Sequence, residues 1–457
     1  MSEYDIIVVG AGPAGDQAAA LAAREGLEVA LIERELVGGE CAYWACMPSK
    51  ALLRPGELLA EERRVPGVPA GELDVSEILR RRDEVIQHLD DASHVDQQEG
   101  RGITVLRGHG RLDGERRVVL ETADGQRETL TAGRAVIISV GSGALIPPIP
   151  GLAEISPWTN REATTASRPP ASMLVLGGSA VGVEMAQAWS SLGTQVTLVE
   201  STSTLLSGVE PFAGALVEAQ LRERGVDVRT GETAVGAGHT GDGQFRLELE
   251  SGGELVGEEL LVCVGRRPHT DDLGLETVAL APGELIAVDD RLRVPHHGDW
   301  LYALGDVNGR ALLTQAGKYQ AAVAVANIMN RDARARWDGP LTPQVIFTDP
   351  QVASVGVTFA EALADGIPAR AVDADPGSTP GASFIGKGGA SGARIVVDES
   401  REVLIGATFV GPEVAEMLHA ATVAIVGEVP LRTLVGAMPA YPTRTEVWLE
   451  LLADWRP

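Results

Sequence analysis

Tyr4 to Val9 ("YDIIVV") is a short, largely apolar run that reads as a strand. A glycine-rich turn follows, apolar positions then recur at helical spacing to about Arg24, and a second apolar run ends at Glu33. The pattern predicts a strand, a tight turn, a helix and a strand parallel to the first. The succession returns at "SMLVLGGSAVGVEMAQAWSSLGTQVTLVEST", where the second apolar run closes at Glu200. Between the two copies, Glu72 to Gln98 reads as a helical segment and Ile103 to Val140 as alternating strands separated by glycine-rich turns. Strands alternating with helices place the chain in the α/β class with parallel sheets.

The turns sharpen this picture. Gly10, Gly12 and Gly15 fit G-x-G-x-x-G, with Pro13 and Ala14 inside the motif. The first glycine makes the turn, the second lets a pyrophosphate approach the backbone, and the third allows close packing of helix on strand. The helix N-terminus then offers unpaired N–H groups to phosphate, and Glu33, followed by Arg34, lies where a carboxylate can accept ribose hydroxyls. In the second copy Gly177, Gly178 and Gly182 open the helix with Ser179 and Val181 between them, and Ser179 could crowd the pyrophosphate. Both copies place the acid at the same offset, 23 residues (10 to 33 and 177 to 200). That match argues for two nucleotide sites of one architecture. After Glu200 the stretch "STSTLLSG" holds no Arg or Lys to pair with a 2′-phosphate, so NADH is expected over NADPH.

With 457 residues, 44% of them hydrophobic and 22% charged, several domains each with a core are expected. The turn-rich "LIPPIPG" (Leu145 to Gly151) and "GRRPHTDD" (Gly265 to Asp272) mark boundaries. A formal charge of −26 opposes binding to nucleic acid and to anionic membrane surfaces. No apolar run approaches the roughly 18 residues needed to span a bilayer, and the N-terminus has no basic or long apolar leader, so a cytoplasmic location is the default expectation.

Three cysteines cannot form a disulfide framework, yet two of them stand close together in "GGECAYWACMPSK" (Gly38 to Lys50). Three readings are open: a redox pair, half of a metal site, or two inert thiols. Cys46 begins a helical pattern with Pro48 in its first turn, a position that lowers a thiol pKa. A metal site needs a further ligand cluster, and Cys263 in "LLVCVG" reads as a buried strand residue; no metal is expected. The inert reading leaves the flanking Gly-Gly and Pro-Ser-Lys without a packing explanation.

These residues carry a resemblance. Gly38, Gly39, Cys41, Cys46, Pro48, Ser49 and Lys50 match G-G-T-C-[LV]-N-x-G-C-x-P-[ST]-K, and the chain resembles, over essentially its full length, the class I pyridine nucleotide-disulfide oxidoreductases. That group contains dihydrolipoamide dehydrogenase, glutathione reductase and mercuric reductase. "VIISVGS" is similar to the family's A-T-G-S segment and brings Gly141 and Ser142 to FAD. "LYALGDVNG" is similar to its second FAD motif and brings Gly305 and Asp306. "FTDPQVASVGVT" looks like the start of its dimerisation domain. The resemblance implies two Rossmann-like domains and a C-terminal α+β domain: FAD-binding residues 1–150 and 269–338, NAD-binding residues 151–268 with Gly265 among the cofactor-binding positions, and an interface domain, 339–457. It implies a homodimer with a shared active site, in which Gly39, Glu40, Cys41 and Lys50 lie at the flavin. Cys46 is then the flavin-side sulfur, Cys41 the interchange sulfur that meets a small-molecule acceptor, and Lys50 pairs with Glu184.

The chain departs from the family at its C-terminus. Where most members have H-x-H-P-T-x-x-E, this sequence reads Pro439 to Glu446, "PAYPTRTE", with Tyr441 at the imidazole position and Glu446 matching. A phenol titrates near 10 and is a poor base at neutral pH, whereas imidazole titrates close to it. Mercuric reductase also has tyrosine there, but it uses a C-terminal cysteine pair, and "LLADWRP" has none. Glu40, Tyr43 and Ala45 replace the usual threonine, asparagine and glycine, and Tyr43 and Trp44 either line the acceptor pocket or pack between domains. The expected function is transfer of electrons from NADH through FAD and the Cys41/Cys46 disulfide to a disulfide-type acceptor. The alternatives are direct flavin-to-quinone or dye reduction, mercuric-type metal ion reduction, and a FAD-containing binding or regulatory protein.

Overall fold

The apolar run at the N-terminus is strand β1 (Ser2–Val9), followed by helix α1 (Pro13–Arg24) and strand β2 (Val29–Glu33). β1 and β2 pair in parallel, Ile6 opposite Val29 and Val9 opposite Ile32, so the predicted βαβ unit is present. The computed structural model describes residues 2–69, 71–386 and 389–455. They divide into two units: Met1–Pro48, Asp83–Gly143 and Arg266–Thr342 in the first; Ser49–Arg82, Ala144–Gly265 and Pro343–Pro457 in the second.

In the first unit the sheet runs Thr104–Arg107, β2, β1, Arg127–Ile138, Arg117–Glu121, His109–Leu112, with Leu301–Ala303 also beside Arg127–Ile138. Its inner strands pair in parallel, and the last two close as antiparallel neighbours. Ile6, Val8, Leu31 and Ile137 bury one face against α1 and the helix Thr314–Ile328; Ile7, Val9, Ile32 and Ile138 bury the other. Burial on both faces is why these strands read as continuous apolar runs rather than alternating ones.

The helical segment expected over 72–98 is interrupted. It forms Val75–Val85 and Ala92–Glu99, and between them Gln87, His88 and Leu89 take φ of 51, 52 and 61°. The break has a local cause: Asp90 accepts the Ala92 N–H at 2.9 Å and so starts a new helix.

In the second unit the parallel order is Asp227–Thr230, Gln195–Glu200, Ser172–Leu176, Glu259–Val262, with the helix Ala180–Ser191 crossing between the middle strands. Trp189 and Val183 on that helix are fully buried. A five-stranded antiparallel sheet, Gln344–Ile346, Gln351–Gly356, Val403–Gly411, Gly392–Asp398, Ala369–Ala374, is packed by the apolar helix Val414–Val426. No helix among the described residues is long and apolar enough to cross a membrane.

Candidate functional site

The first glycine turn is shaped by what its Cβ atoms would meet. Gly10 has φ +98° and a Cβ there would lie 2.5 Å from the Ser139 carbonyl oxygen; one on Gly15 would lie 1.9 Å from that of Gly10. A Cβ on Gly12 meets nothing within 4 Å. The turn is thus closed on its protein side and open above the start of α1, whose N-cap has no side-chain hydrogen bond. That open N-terminus fits a phosphate group. Glu33 Oε2 accepts the Ala11 N–H and Oε1 the Glu35 N–H, both at 2.8 Å. Burial raises its pKa above the ordinary carboxyl value, with the backbone bonds opposing. Gly10, Glu33, Arg34, His109 and His269 line a cavity of about 60 Å³ beside it. Gly15→Ala must push α1 off β1, and overpacking of this kind costs about 1–3 kcal/mol. The expected result is FAD bound about 5- to 150-fold more weakly in apoprotein titrations; unchanged affinity would show that the turn does not hold the cofactor.

The redox stretch is built directly onto this turn. Helix α2 (Gly39–Tyr43) follows Gly38, which has φ +120° and donates its N–H to the Ala11 carbonyl at 2.9 Å. A Cβ on Gly39 would come within 2.8 Å of Gly12 Cα. The Gly-Gly pair therefore does have a packing explanation: it lets the cysteine segment lie against the phosphate turn. Cys41 sits on α2 and Cys46 begins helix α3 (Cys46–Arg64), both as half-buried thiols not joined in a disulfide. Cys46 Sγ lies 3.7 Å from Thr314 Oγ1. The Cys41 thiol is held well above the usual thiol range, first by its hydrogen bond to Cys46 and then by burial, while Thr314 and Lys318 oppose this. Two adjacent thiols do not both ionise readily, so the pair retains a proton. Thr314 and Lys318 open the helix Thr314–Ile328 and were not legible as site residues, because nothing in "LLTQAGKYQ" resembles a motif.

Tyr43 is packed inside the first unit. It is 1% exposed, with Oη 2.7 Å from His94 Nδ1 and 3.2 Å from the Val37 carbonyl, and burial pushes its pKa up to about 12. Trp44 beside it is half-buried.

A second cluster gathers Ser142, Asp306 and Arg266. Ser142 Oγ donates to Asp306 Oδ2 at 2.5 Å, and Arg266 donates to Ser142 Oγ at 2.7 Å and to its carbonyl at 2.6 Å. Arg266, one residue past Gly265, was missed by the sequence reading, although it stands in the quoted "GRRP". The Gly305 turn is fixed from behind: its N–H and the Asn308 amide both donate to Gln320 Oε1, at 2.7 and 2.9 Å. Gln320 in turn donates to Asp338, whose fully buried carboxylate is gripped by Arg310 through two 2.7 Å bonds.

In the second unit Lys50, one turn along α3 from Cys46, donates to Glu184 Oε2 at 2.8 Å and lies over the Phe347 ring. Glu184 is buried and its Oε1 accepts the Phe347 N–H at 2.8 Å. The second glycine turn, Gly177 to Gly182, opens a cavity of about 560 Å³ lined by Gly177, Gly178, Ser179, Glu200 and Ser201, among others. Val181 stands on the helix start, partly exposed. Glu200 accepts the N–H groups of Gly178 and Thr202 at 2.6 and 2.7 Å. Ser179 does not crowd the opening: its hydroxyl turns inward to donate to the Cys263 carbonyl at 2.8 Å. Cys263 falls just past the strand Glu259–Val262, and burial pushes its thiol up to about 12, which fits a packing role. The described residues contain no group of three His, Cys, Asp or Glu side chains placed to hold a metal.

Tyr441 is 77% exposed, and among the described residues no hydrogen bond links it to Glu446. Glu446 instead accepts the Thr443 N–H at 3.2 Å and closes the turn that starts the helix Val447–Leu451.

Comparison with known proteins places this geometry. The family described as "Pyridine nucleotide-disulphide oxidoreductase" matches residues 4–326, and its dimerisation domain matches residues 342–452. The chain is 33% identical to a mercuric reductase of Shigella flexneri, covering 96% of this chain and 79% of that one. It is 32% identical to a dihydrolipoyl dehydrogenase of Thermus scotoductus, covering 98% and 97%. Among solved structures it is similar to LpdA from Mycobacterium tuberculosis, with TM-score 0.88, 25% identity and full coverage of both chains. The HOCl-induced flavoprotein disulfide reductase RclA from Escherichia coli shares the fold, with TM-score 0.85 at 22% identity, covering 99% of this chain and 100% of that one.

Proposed function

Because the chain belongs to the pyridine nucleotide-disulphide oxidoreductases, a family of flavoprotein enzymes that use FAD and a pyridine nucleotide, we propose that it oxidises NADH and reduces a small disulfide through Cys41 and Cys46. The observation that carries this reading is the pair of hydrogen-bonded thiols pressed, through Gly38 and Gly39, onto the open glycine turn. The FAD segments are residues 1–150 and 269–338, the NAD segment 151–268, and the dimer segment 339–457 of a homodimer.

FAD would be held by Gly10, Gly12, Pro13, Ala14 and Gly15 at its pyrophosphate, with Glu33 and Arg34 at the ribose end and Gly39, Glu40, Gly141, Ser142, Gly305, Asp306 and Lys50 along the rest. When bound, it supplies the two-electron relay between nicotinamide and dithiol. The chain's own residues do the sulfur chemistry. The Cys41 thiolate attacks one sulfur of the acceptor, an S–S bond forms as the acceptor's S–S bond breaks, and the leaving thiolate takes a proton. Cys46 then attacks Cys41, closing the Cys41–Cys46 disulfide and releasing the second acceptor thiol; the dithiol has lost two electrons and the acceptor has gained them. Lys50, further along the same helix as Cys46, is fixed by its 2.8 Å bond to the Glu184 carboxylate.

Glu200 sits in the second cavity with its oxygens on backbone N–H groups and on Thr202, and no cation lies in "STSTLLSG" to meet a 2′-phosphate. NADH should exceed NADPH in kcat/KM by about tenfold or more, since an unpaired phosphate beside a carboxylate loses over a kcal/mol. The test is steady-state turnover with both nucleotides against lipoamide, glutathione disulfide, quinones and mercuric ion. Equal use of NADPH overturns the nucleotide assignment, and turnover confined to quinones overturns the disulfide acceptor. A second reading, direct reduction of a quinone or dye, is favoured by one observation, the exposed Tyr441 phenol where most of the family has imidazole.

A further inference from the structure

The second unit contains a cationic cavity that no step of the sulfur chemistry uses. Arg64, at the end of α3, and Arg444 face one cavity of about 70 Å³, together with Ser391, Gly377 and Pro412. Arg444 is 6% exposed, and its Nη1 is buried with no hydrogen-bond partner among the described residues. Arg64 spends Nη1 on both oxygens of Asp349, at 3.0 and 2.8 Å, and its Nε and Nη2 are buried with no hydrogen-bond partner among the described residues.

The charges do not balance inside this region. Asp349 is already shared between Arg64 and Arg224, so the carboxylate paired with Arg64 among the described residues answers two guanidinium groups. Asp375 and Glu413 exert some attraction on Arg444, yet Asp375 Oδ1 is taken by the Gly377 N–H and the Ser391 hydroxyl. Burial and the neighbouring Arg64 charge both work against the Arg444 cation. Buried donors without acceptors, and two like charges facing one space, are costly unless an anion joins them.

We propose that the Arg64–Arg444 cavity is a binding site for a small oxyanion, a phosphate, sulfate or carboxylate group. Guanidinium forks match the spacing of such oxygens and bind them bidentately. The cavity holds a few water-sized groups, so it admits the oxyanion itself and excludes a nucleotide.

Isothermal titration of the full-length holoenzyme with inorganic phosphate, and separately with acetate, against chloride at constant ionic strength tests this. Saturable binding of phosphate, acetate or both is expected, and which of them binds identifies the class of anion. Arg444→Met should weaken it about tenfold or more, and Arg444→Lys less, because lysine keeps the charge but not the fork. In anion-free buffer Arg444→Met should melt no lower than the parent, since it removes an uncompensated charge, and it should lose the stabilisation that phosphate confers. Should that variant fail to fold, a crystal of the parent soaked in selenate decides, an anomalous peak between Arg64 and Arg444 being the expected result. Absence of saturable binding by the parent, equal affinity in Arg444→Met, or a dimer structure with a partner carboxylate filling the cavity would overturn the proposal.

Discussion

Replacing Cys41 with serine is expected to abolish reduction of disulfide acceptors, by about a thousandfold or more, while NADH still bleaches the flavin in a single anaerobic mixing at close to the parent rate. A serine hydroxyl cannot attack a disulfide or close the Cys41–Cys46 bond, and loss of a nucleophile removes the whole covalent route rather than a fraction of it. Flavin reduction depends on the proposed nucleotide sites at Gly10 to Gly15, Glu33, Gly177 to Gly182 and Glu200, where Glu33 and Glu200 bond to the Ala11 and Gly178 N–H groups. The companion Cys46→Ser leaves the outer sulfur but removes its partner, so long-wavelength absorbance on NADH titration should vanish while a mixed disulfide with the acceptor accumulates. The two variants separate the readings of the enzyme. If Cys41→Ser kept its turnover with quinones and the parent never reduced a disulfide, electrons would be leaving without the dithiol. If it lost turnover with every acceptor, the direct route would be excluded.

How much of this was legible depended on whether a residue's role was local. The βαβ units were readable because strands buried on both faces leave unbroken apolar runs, and because a turn against a phosphate demands glycine where Cβ atoms would strike Ser139 and Gly10. Roles set by distant partners were hidden. Asp91 accepts the Val37 N–H, a partner far away in sequence. Ser179 looked obstructive in the motif, yet its hydroxyl has the Cys263 carbonyl to turn to. Tyr43 carries no sign in the sequence of its partner His94, 51 residues away. The network from Gly305 through Gln320 to Asp338 and Arg310 has no periodicity and no motif; only the folded chain brings its members together.

Tyr441→His should raise turnover with lipoamide or another dithiol-disulfide couple by about a hundredfold at pH 7, the lower end of what a positioned acid/base contributes. The need for a base follows from Cys41 itself. Its hydrogen bond to Cys46 and its burial hold the thiol above the usual range, so the attacking thiolate is scarce at neutral pH and becomes more abundant as pH rises. The parent's acceptor turnover should therefore climb steadily from pH 7 towards pH 9. An imidazole at position 441 becomes a base above about pH 6.5 and would take the proton before bulk solvent does, which should move the rising limb of the profile down by one to two pH units. Position 441 is exposed within its own chain, so the new side chain has room, and Glu446 is near in sequence to orient it once its bond to the Thr443 N–H is exchanged. If the proposed active site is shared between the subunits of a homodimer, the gain should also disappear in variants that no longer dimerise through residues 342–452. A hundredfold gain with an acid-shifted profile would identify imidazole as the missing group. No gain, with full NADH-dependent flavin reduction, would mean that the acceptor of this enzyme never required proton transfer at Cys41, which is the behaviour of an acceptor other than a disulfide.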